Sequence, residues 1–255
     1  MTIGEARAAA ARTLKRASDA PALDADRLLL YVFGQPETAW LAVHYENHLS
    51  ATQEQELHKL VRERASGKPL AYTLGEAWFY GRRFMVSPDV LIPRPATEDL
   101  IATSLEVIDS LYGAKGRPLV IGDIGTGSGC IAITLLLERP AAIEKIIAVD
   151  ISPVAVVVAK KNADLYGLKS KIDFRLGDML SPLKAEKVDL LVCNPPYVPT
   201  AELESQPVVE TRGLSFEPRL ALDGGPDGLV FVSQIKKSGI PAVIETVGGV
   251  IEVVD

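Results

Sequence analysis

The sequence is short of histidine, of cysteine and of excess positive charge, and each shortage removes a class of function. The three histidines, His44, His48 and His58, all precede residue 76. The rest of the chain therefore offers no imidazole for a hydrolase triad or a metal centre, so no metal is expected there. Cys130 and Cys193 are the only cysteines, and each lies inside an apolar run. Two such residues support neither a zinc site nor a disulfide framework, and they suit a reducing compartment. Net charge is -6, and residues 1–75 balance nine Lys/Arg against nine Asp/Glu. That distribution gives no basic field for nucleic acid. No apolar run reaches the ~20 residues that span a bilayer, so no membrane contact is expected. The Arg- and Ala-rich start could pass for an organelle transit peptide, yet Ile3, Ala6, Ala10, Leu14 and Ala17 fall on one helical face. The helix is preferred because further helical pattern follows without a break, and the cytoplasm is the expected location.

What is present is an ordinary globular balance, 47% hydrophobic and 24% charged over 255 residues. Residues 1–75 predict a small helical domain. Leu23, Leu28, Leu29, Val32 and Phe33 form an apolar stripe ending at Gly34, and Ser50 with Gln53 has the spacing of a capping box. Residues 76–95 predict a hairpin linker, with aromatic and β-favouring residues over Trp78–Val86 around Gly81, then Pro88, Pro93 and Pro95. Residues 96–255 alternate between strand and helix. The expected strands are Leu119–Asp123, Ile146–Asp150, Ile172–Leu176, Val188–Cys193 and Val250–Val254, with helices near 97–112, 129–138 and 153–166. Such alternation predicts an α/β fold with a parallel sheet covered by helices on both faces.

Ligands of open parallel sheets bind beyond the carboxyl ends of the strands. Four features fall there. Asp123-Ile-Gly125-Thr126-Gly127-Ser128-Gly129 follows a strand and opens a helix, so its glycines let backbone approach a ligand closely. Its G-x-G-x-G spacing differs from the dinucleotide fingerprint, and alone it is also an ordinary turn. Asp150 ends the next strand, where an acid can accept both hydroxyls of a ribose or, alternatively, cap the following helix. Asp178 and Met179 end the third strand, placed to meet an adenine amino group and ring.

The fourth feature is Asn194-Pro195-Pro196-Tyr197, after the apolar run Leu190–Cys193. An amide nitrogen is a poor nucleophile because its lone pair is delocalised into the carbonyl. It needs acceptors for its two N–H groups, here the Asn194 side-chain oxygen and the Pro195 carbonyl, aimed in advance by rigid prolines. Tyr197 can stack on the planar amide. These residues alone indicate an amide or amine methyltransferase.

At these residues the chain resembles the release factor glutamine methyltransferases (the HemK/PrmC family) along nearly its whole length. The likeness includes Pro69-Leu-Ala-Tyr72-x-x-Gly75, Leu91-Ile-Pro-Arg94-Pro95, Asp123–Gly129, Asn194–Tyr197 and the run from Glu217-Pro-Arg219 to Gly225. The resemblance implies a Rossmann-like methyltransferase domain, a helical substrate-recognition domain over 1–75, and S-adenosylmethionine as cofactor. It implies as substrate the glutamine of the Gly-Gly-Gln motif in class-1 peptide chain release factors, with no direct nucleic-acid partner and a monomeric enzyme. Carried over, Gly125, Thr126, Gly127, Ser128, Gly129, Asp150, Asp178 and Met179 would contact the cofactor, and Asn194 would bridge cofactor and substrate. Pro195, Pro196 and Tyr197 would hold the glutamine, while Arg94 and Glu217 would shape its entrance. The alternatives are glutamine methylation of a ribosomal protein, amino-methylation of nucleic acid, or a non-catalytic cofactor-binding protein. Two departures stand out: Ala96 replaces the family's usual glutamate, and the sequence ends at Asp255, where relatives continue into a further helix and hairpin. Absence of that hairpin is expected to expose a sheet edge.

Overall fold

Local signals start and stop the helices of the front segment. Thr2 and Ser50 each accept a hydrogen bond from the backbone three residues on, while Glu5 and Gln53 bond back, so both α1 (Ile3–Leu14) and α4 (Ala51–Ala65) open with a capping box. Pro21 starts α2 (Pro21–Phe33), and Gly34 ends it in the left-handed conformation. Two short helices, α3 (Thr38–Val43) and α5 (Leu70–Leu74), complete the set. The computed structural model describes residues 1–205 and 213–254, which fall into two units. The first holds Met1–Gly75 with residues 213–216, and the second holds residues 76–205 and 217–254. The core of the first unit gathers Ile3, Ala6, Ala10 and Leu14 with Leu28, Leu29, Leu57 and Leu60. Leu23 departs from the expected stripe: it is 51% exposed, and Leu30 is buried in its stead. His44 stacks on Trp40, a packing role.

In the second unit, β1 (Glu76–Phe79) and β2 (Arg82–Met85) form an antiparallel hairpin. Its two-residue turn has Tyr80 and Gly81 both at positive φ, the pattern that matches the natural twist of paired strands. The Glu98 carboxylate accepts the Tyr80 N–H at 2.8 Å. Phe79 and Phe84 are fully buried in the main core, so the hairpin is part of this unit's packing and not only a tether.

The sheet follows: α6 (Ala96–Lys115), β3 (Leu119–Ile124), α7 (Cys130–Glu138), β4 (Ile143–Asp150), α8 (Pro153–Leu165), β5 (Ile172–Leu176), β6 (Leu190–Cys193), α9 (Thr200–Ser205), α10 (Val230–Lys236), β7 (Ala242–Thr246) and β8 (Val250–Val254). The strand order is β5-β4-β3-β6-β7-β8. All neighbours are parallel except β7 and β8. One face packs Leu100, Ile101 and Ile108 of α6 with Ile131 and Leu135 of α7, and the other packs Val232 and Ile235 of α10. Each side chain buried in this way stabilises the fold by about 1.5–3 kcal/mol.

One strand differs in place and direction from the expectation. Val250–Val254 is the sixth strand and runs antiparallel, while the fifth, parallel strand is Ala242–Thr246. The short β7 ends on the polar pair Glu245-Thr246, which resembles a strand exit, although both are buried. Gly248 and Gly249, both at positive φ, then reverse the chain into β8. Strand β7 is therefore interior, and β8 forms that edge among the described residues.

Candidate active site

The chain runs outward through β3, β4 and β5, then returns to the other side of β3 with β6. This reversal puts the carboxyl ends of β3 and β6 side by side, with Ile124 in register with Cys193. Gly125 and Asn194 are therefore neighbours at the switch point, where open α/β sheets bind ligands. A Cβ at Gly125 would lie 3.8 Å from the Asn194 carbonyl oxygen.

The loop after β3 is held from β4. Val149 O accepts the Gly125 and Thr126 N–H groups at 2.9 and 3.0 Å. Gly125, Gly127 and Gly129 all have positive φ, which a residue with a Cβ adopts only under strain. Asp150 serves this loop directly: one carboxylate oxygen accepts the Gly127 N–H and the other the Ser152 N–H, each at 2.9 Å. Ser152, not Asp150, caps α8. Each Asp150 oxygen keeps a further lone-pair site, and burial pushes its carboxyl up against the pull of those amides. Behind the loop lies Asp123, wholly buried, whose carboxylate accepts the Thr126 hydroxyl at 2.6 Å. Burial pushes Asp123 up to about 7.

A cavity opens beyond these strand ends. Its walls include Gly125, Gly127, Asp150, Asp178, Met179, Asn194 and Pro196 among the residues singled out by sequence. Apolar walls come from Val90, Leu91, Ile151 and Phe231, of which only Leu91 belonged to a motif. Of the remaining candidates, buried Pro195 and the other three residues of the glycine loop do not line the cavity. Thr126 and Ser128 are buried, and Gly129 packs on Ala159 of α8, where an added Cβ would come within 3.2 Å. These three support the loop from within. Asn162, fully buried, also supports it: its side chain bonds both backbone groups of Met85 and donates to the Ser128 carbonyl at 2.8 Å. A lone amide in an otherwise apolar and charged helix was the only sequence signal for it.

Asn194 donates its side-chain N–H to the Thr97 hydroxyl at 2.9 Å. That bond turns the amide so that its oxygen is the end left for another donor. Tyr197 donates its hydroxyl to Glu245 at 3.0 Å. The turn is braced from below by Asp223-Gly224-Gly225. Val198 N donates to Leu222 O, Gly224 N donates to Val198 O, and a parallel bridge joins Val198 to Asp223. A Cβ on Gly224 would come within 2.7 Å of Tyr197 Cα, and one on Gly228 within 2.3 Å of the Tyr197 carbonyl. Only glycine fits at these two positions, which pack the chain after Glu217 against Tyr197.

Arg94 and Glu217, expected to shape the substrate entrance, lie together. They form an ion pair with each other, Glu217 is only 7% exposed, and it also accepts the Ile92 N–H at 3.3 Å. Their charges are spent on joining the Ile92 and Pro218 segments, and Pro218 lines the cavity. No group of metal-ligating side chains occurs among the described residues. No helix of the described residues is long and apolar enough to cross a membrane.

Comparison with known proteins gives a consistent answer. Residues 5–75 match the PrmC N-terminal domain model, and residues 105–242 match the methyltransferase small domain. The chain is 40% identical over 230 residues to the release factor glutamine methyltransferase of Moorella thermoacetica, covering 90% of this chain and 77% of that protein. Its counterpart in Chlorobaculum tepidum is 40% identical over 222 residues, covering 85% of this chain and 73% of the relative. That of Koribacter versatilis is 38% identical over 237 residues, covering 92% and 80% respectively.

Proposed function

The chain belongs to the release factor glutamine methyltransferases, and on that premise we propose that its cavity binds S-adenosylmethionine and that Asn194–Tyr197 presents the glutamine of a Gly-Gly-Gln motif in a class-1 release factor. The reaction is methylation of a release factor glutamine at its side-chain amide nitrogen. The observation that carries the site assignment is the Asn194–Thr97 hydrogen bond, which leaves the side-chain oxygen of Asn194, the residue next to Gly125 at the switch point, for another donor.

The residues fit this cofactor on their own chemistry. Asp150 offers acceptor sites for a ribose diol, and Asp178 offers one for an amino group. Ile151, Met179 and Phe231 offer apolar surface for a ring. When bound, the cofactor supplies an electrophilic methyl group on a sulfonium. The chain's task is then to hold the acceptor nitrogen. The Asn194 oxygen and the Pro195 carbonyl accept its two N–H groups, and the Pro195-Pro196 backbone has no N–H of its own to compete. Accepting those protons raises electron density on the nitrogen and fixes its orientation toward the methyl group. As the nitrogen takes the methyl group, the methyl–sulfur bond would break with its electron pair left on a neutral thioether, and the cationic nitrogen would lose one proton to water. Positioning supplies most of the acceleration, which suits a site without histidine. We place the enzyme in the cytoplasm, as a monomer, with the release factor as its protein partner.

The test is to incubate the purified chain with a release factor and S-adenosylmethionine, then map the product by peptide mass spectrometry. A single methyl group on the Gly-Gly-Gln glutamine is the expected result. Methylation at another residue only would overturn the reading. Thr97→Val tests the anchor separately. Loss of one neutral hydrogen bond, about 0.5–1.5 kcal/mol, should lower turnover by up to about tenfold without weakening cofactor binding. Unchanged turnover would show that Thr97 does not aim Asn194.

A further inference from the structure

Glu245 is a carboxylate that the reaction as described does not use. It is 0% exposed, and one of its oxygens, Oε2, has no hydrogen-bond partner. Its strand sets its position. Ile244 is in register with Cys193, and these two pack on the α10 face of the sheet, whereas Val192 and Val243 pack on the α6 face. Alternation along the strands returns Asn194 and Glu245 to the α6 face, and the bond from Asn194 to Thr97 of α6 agrees. Glu245 therefore lies beside Asn194 at the carboxyl edge of the sheet. Its other oxygen, Oε1, accepts the Tyr197 hydroxyl at 3.0 Å.

A buried carboxylate with an unpartnered oxygen is costly, and a glutamine or an apolar residue would fill the same space at less expense. Such a residue marks a place where something other than stability is served. We propose that Glu245 is a positioning residue that fixes the Tyr197 ring against the planar amide of the methyl acceptor. Tyr197 is then held at both ends. Its backbone rests on Gly224 and Gly228, and its phenol is tied to β7. A phenylalanine would be held at one end only. Burial and the nearby Glu245 carboxylate push the Tyr197 phenol up to about 12, so it remains a donor through the neutral range.

This inference rests on the reading of Tyr197 as the residue that stacks on the acceptor, and the test separates the two. Tyr197→Phe, Tyr197→Ala, Glu245→Gln, Glu245→Met and the double variant Glu245→Met/Tyr197→Phe are compared with the wild type. Turnover, KM for the release factor, and calorimetric affinity for S-adenosylmethionine are measured for each. Tyr197→Phe and Glu245→Met should each lower kcat about tenfold or more, the double variant should fall no further, and cofactor affinity should stay within about twofold. Glu245→Gln keeps an acceptor for the phenol and should retain most of the wild-type kcat. Multiplying losses in the double variant, or a loss of cofactor affinity in Glu245→Met, would overturn the proposal and leave Tyr197 in place. A Tyr197→Ala enzyme with wild-type kinetics would overturn the reading of Tyr197 itself, and the proposal with it.

Discussion

Asn194→Ala lowers kcat by about 30- to 1,000-fold, equivalent to about 2–4 kcal/mol, while cofactor affinity changes little. The expectation follows from what the side chain does in the site. Its N–H is already given to Thr97, so its oxygen is held in one orientation before any substrate arrives. A preorganised acceptor costs no reordering at each turnover, which is why its removal should act on kcat more than on KM. The cofactor loop does not depend on Asn194, because its amides are held by Val149 and Asp150. Asn194→Asp makes the same point differently. A carboxylate cannot donate to Thr97 and would accept its hydroxyl instead, so one oxygen is taken up by the anchor and a negative charge is added beside the acceptor. Steady-state kinetics with calorimetric cofactor binding checks both variants. Near-normal turnover in Asn194→Ala would remove the acceptor role from the mechanism.

Asp150→Ala should do the opposite, weakening the cofactor by about 30- to 100-fold with a smaller effect on turnover at saturation. Two losses combine. The acceptor for the ribose hydroxyls disappears, and a charged hydrogen bond of this kind is worth about 1.5–3 kcal/mol. The Gly127 amide also loses its tether, so the left-handed loop is no longer held against β4. Asp150→Asn, which keeps one acceptor oxygen, should fall between the two. Equilibrium titration with S-adenosylmethionine measures the effect directly, and unchanged affinity for Asp150→Ala would show that the ribose assignment is wrong.

The parts of this protein that could be read from its residues are those encoded locally. The Ser50 capping box, the Gly34 stop, the hairpin turn and four of the parallel strands follow from short-range rules, and the structure places them within a few residues of the expected positions. The glycine loop and Asn194–Tyr197 were legible because they must lie at strand ends. Long-range partners were not legible. Thr97, Asn162 and Glu245 act through bonds to residues 97, 77 and 48 positions away in sequence, and apart from Asn162 being the lone amide of its helix nothing local marks them. The same limit explains Arg94 and Glu217. Each is a charge in a selective motif, which suggests a substrate contact, yet across 123 residues they neutralise one another. Strand β7 was missed because its buried Glu245 and Thr246 look like an exit to solvent. The functional use of that edge hid the strand.

The most direct test of the account is transfer of labelled methyl from S-adenosylmethionine to a purified release factor, run beside the release factor whose Gly-Gly-Gln glutamine is changed to alanine. Label is expected on the unaltered release factor alone, and is lost when Asn194→Ala replaces the wild-type enzyme. Equal labelling of both release factors would contradict it, because the acceptor would then be some other residue.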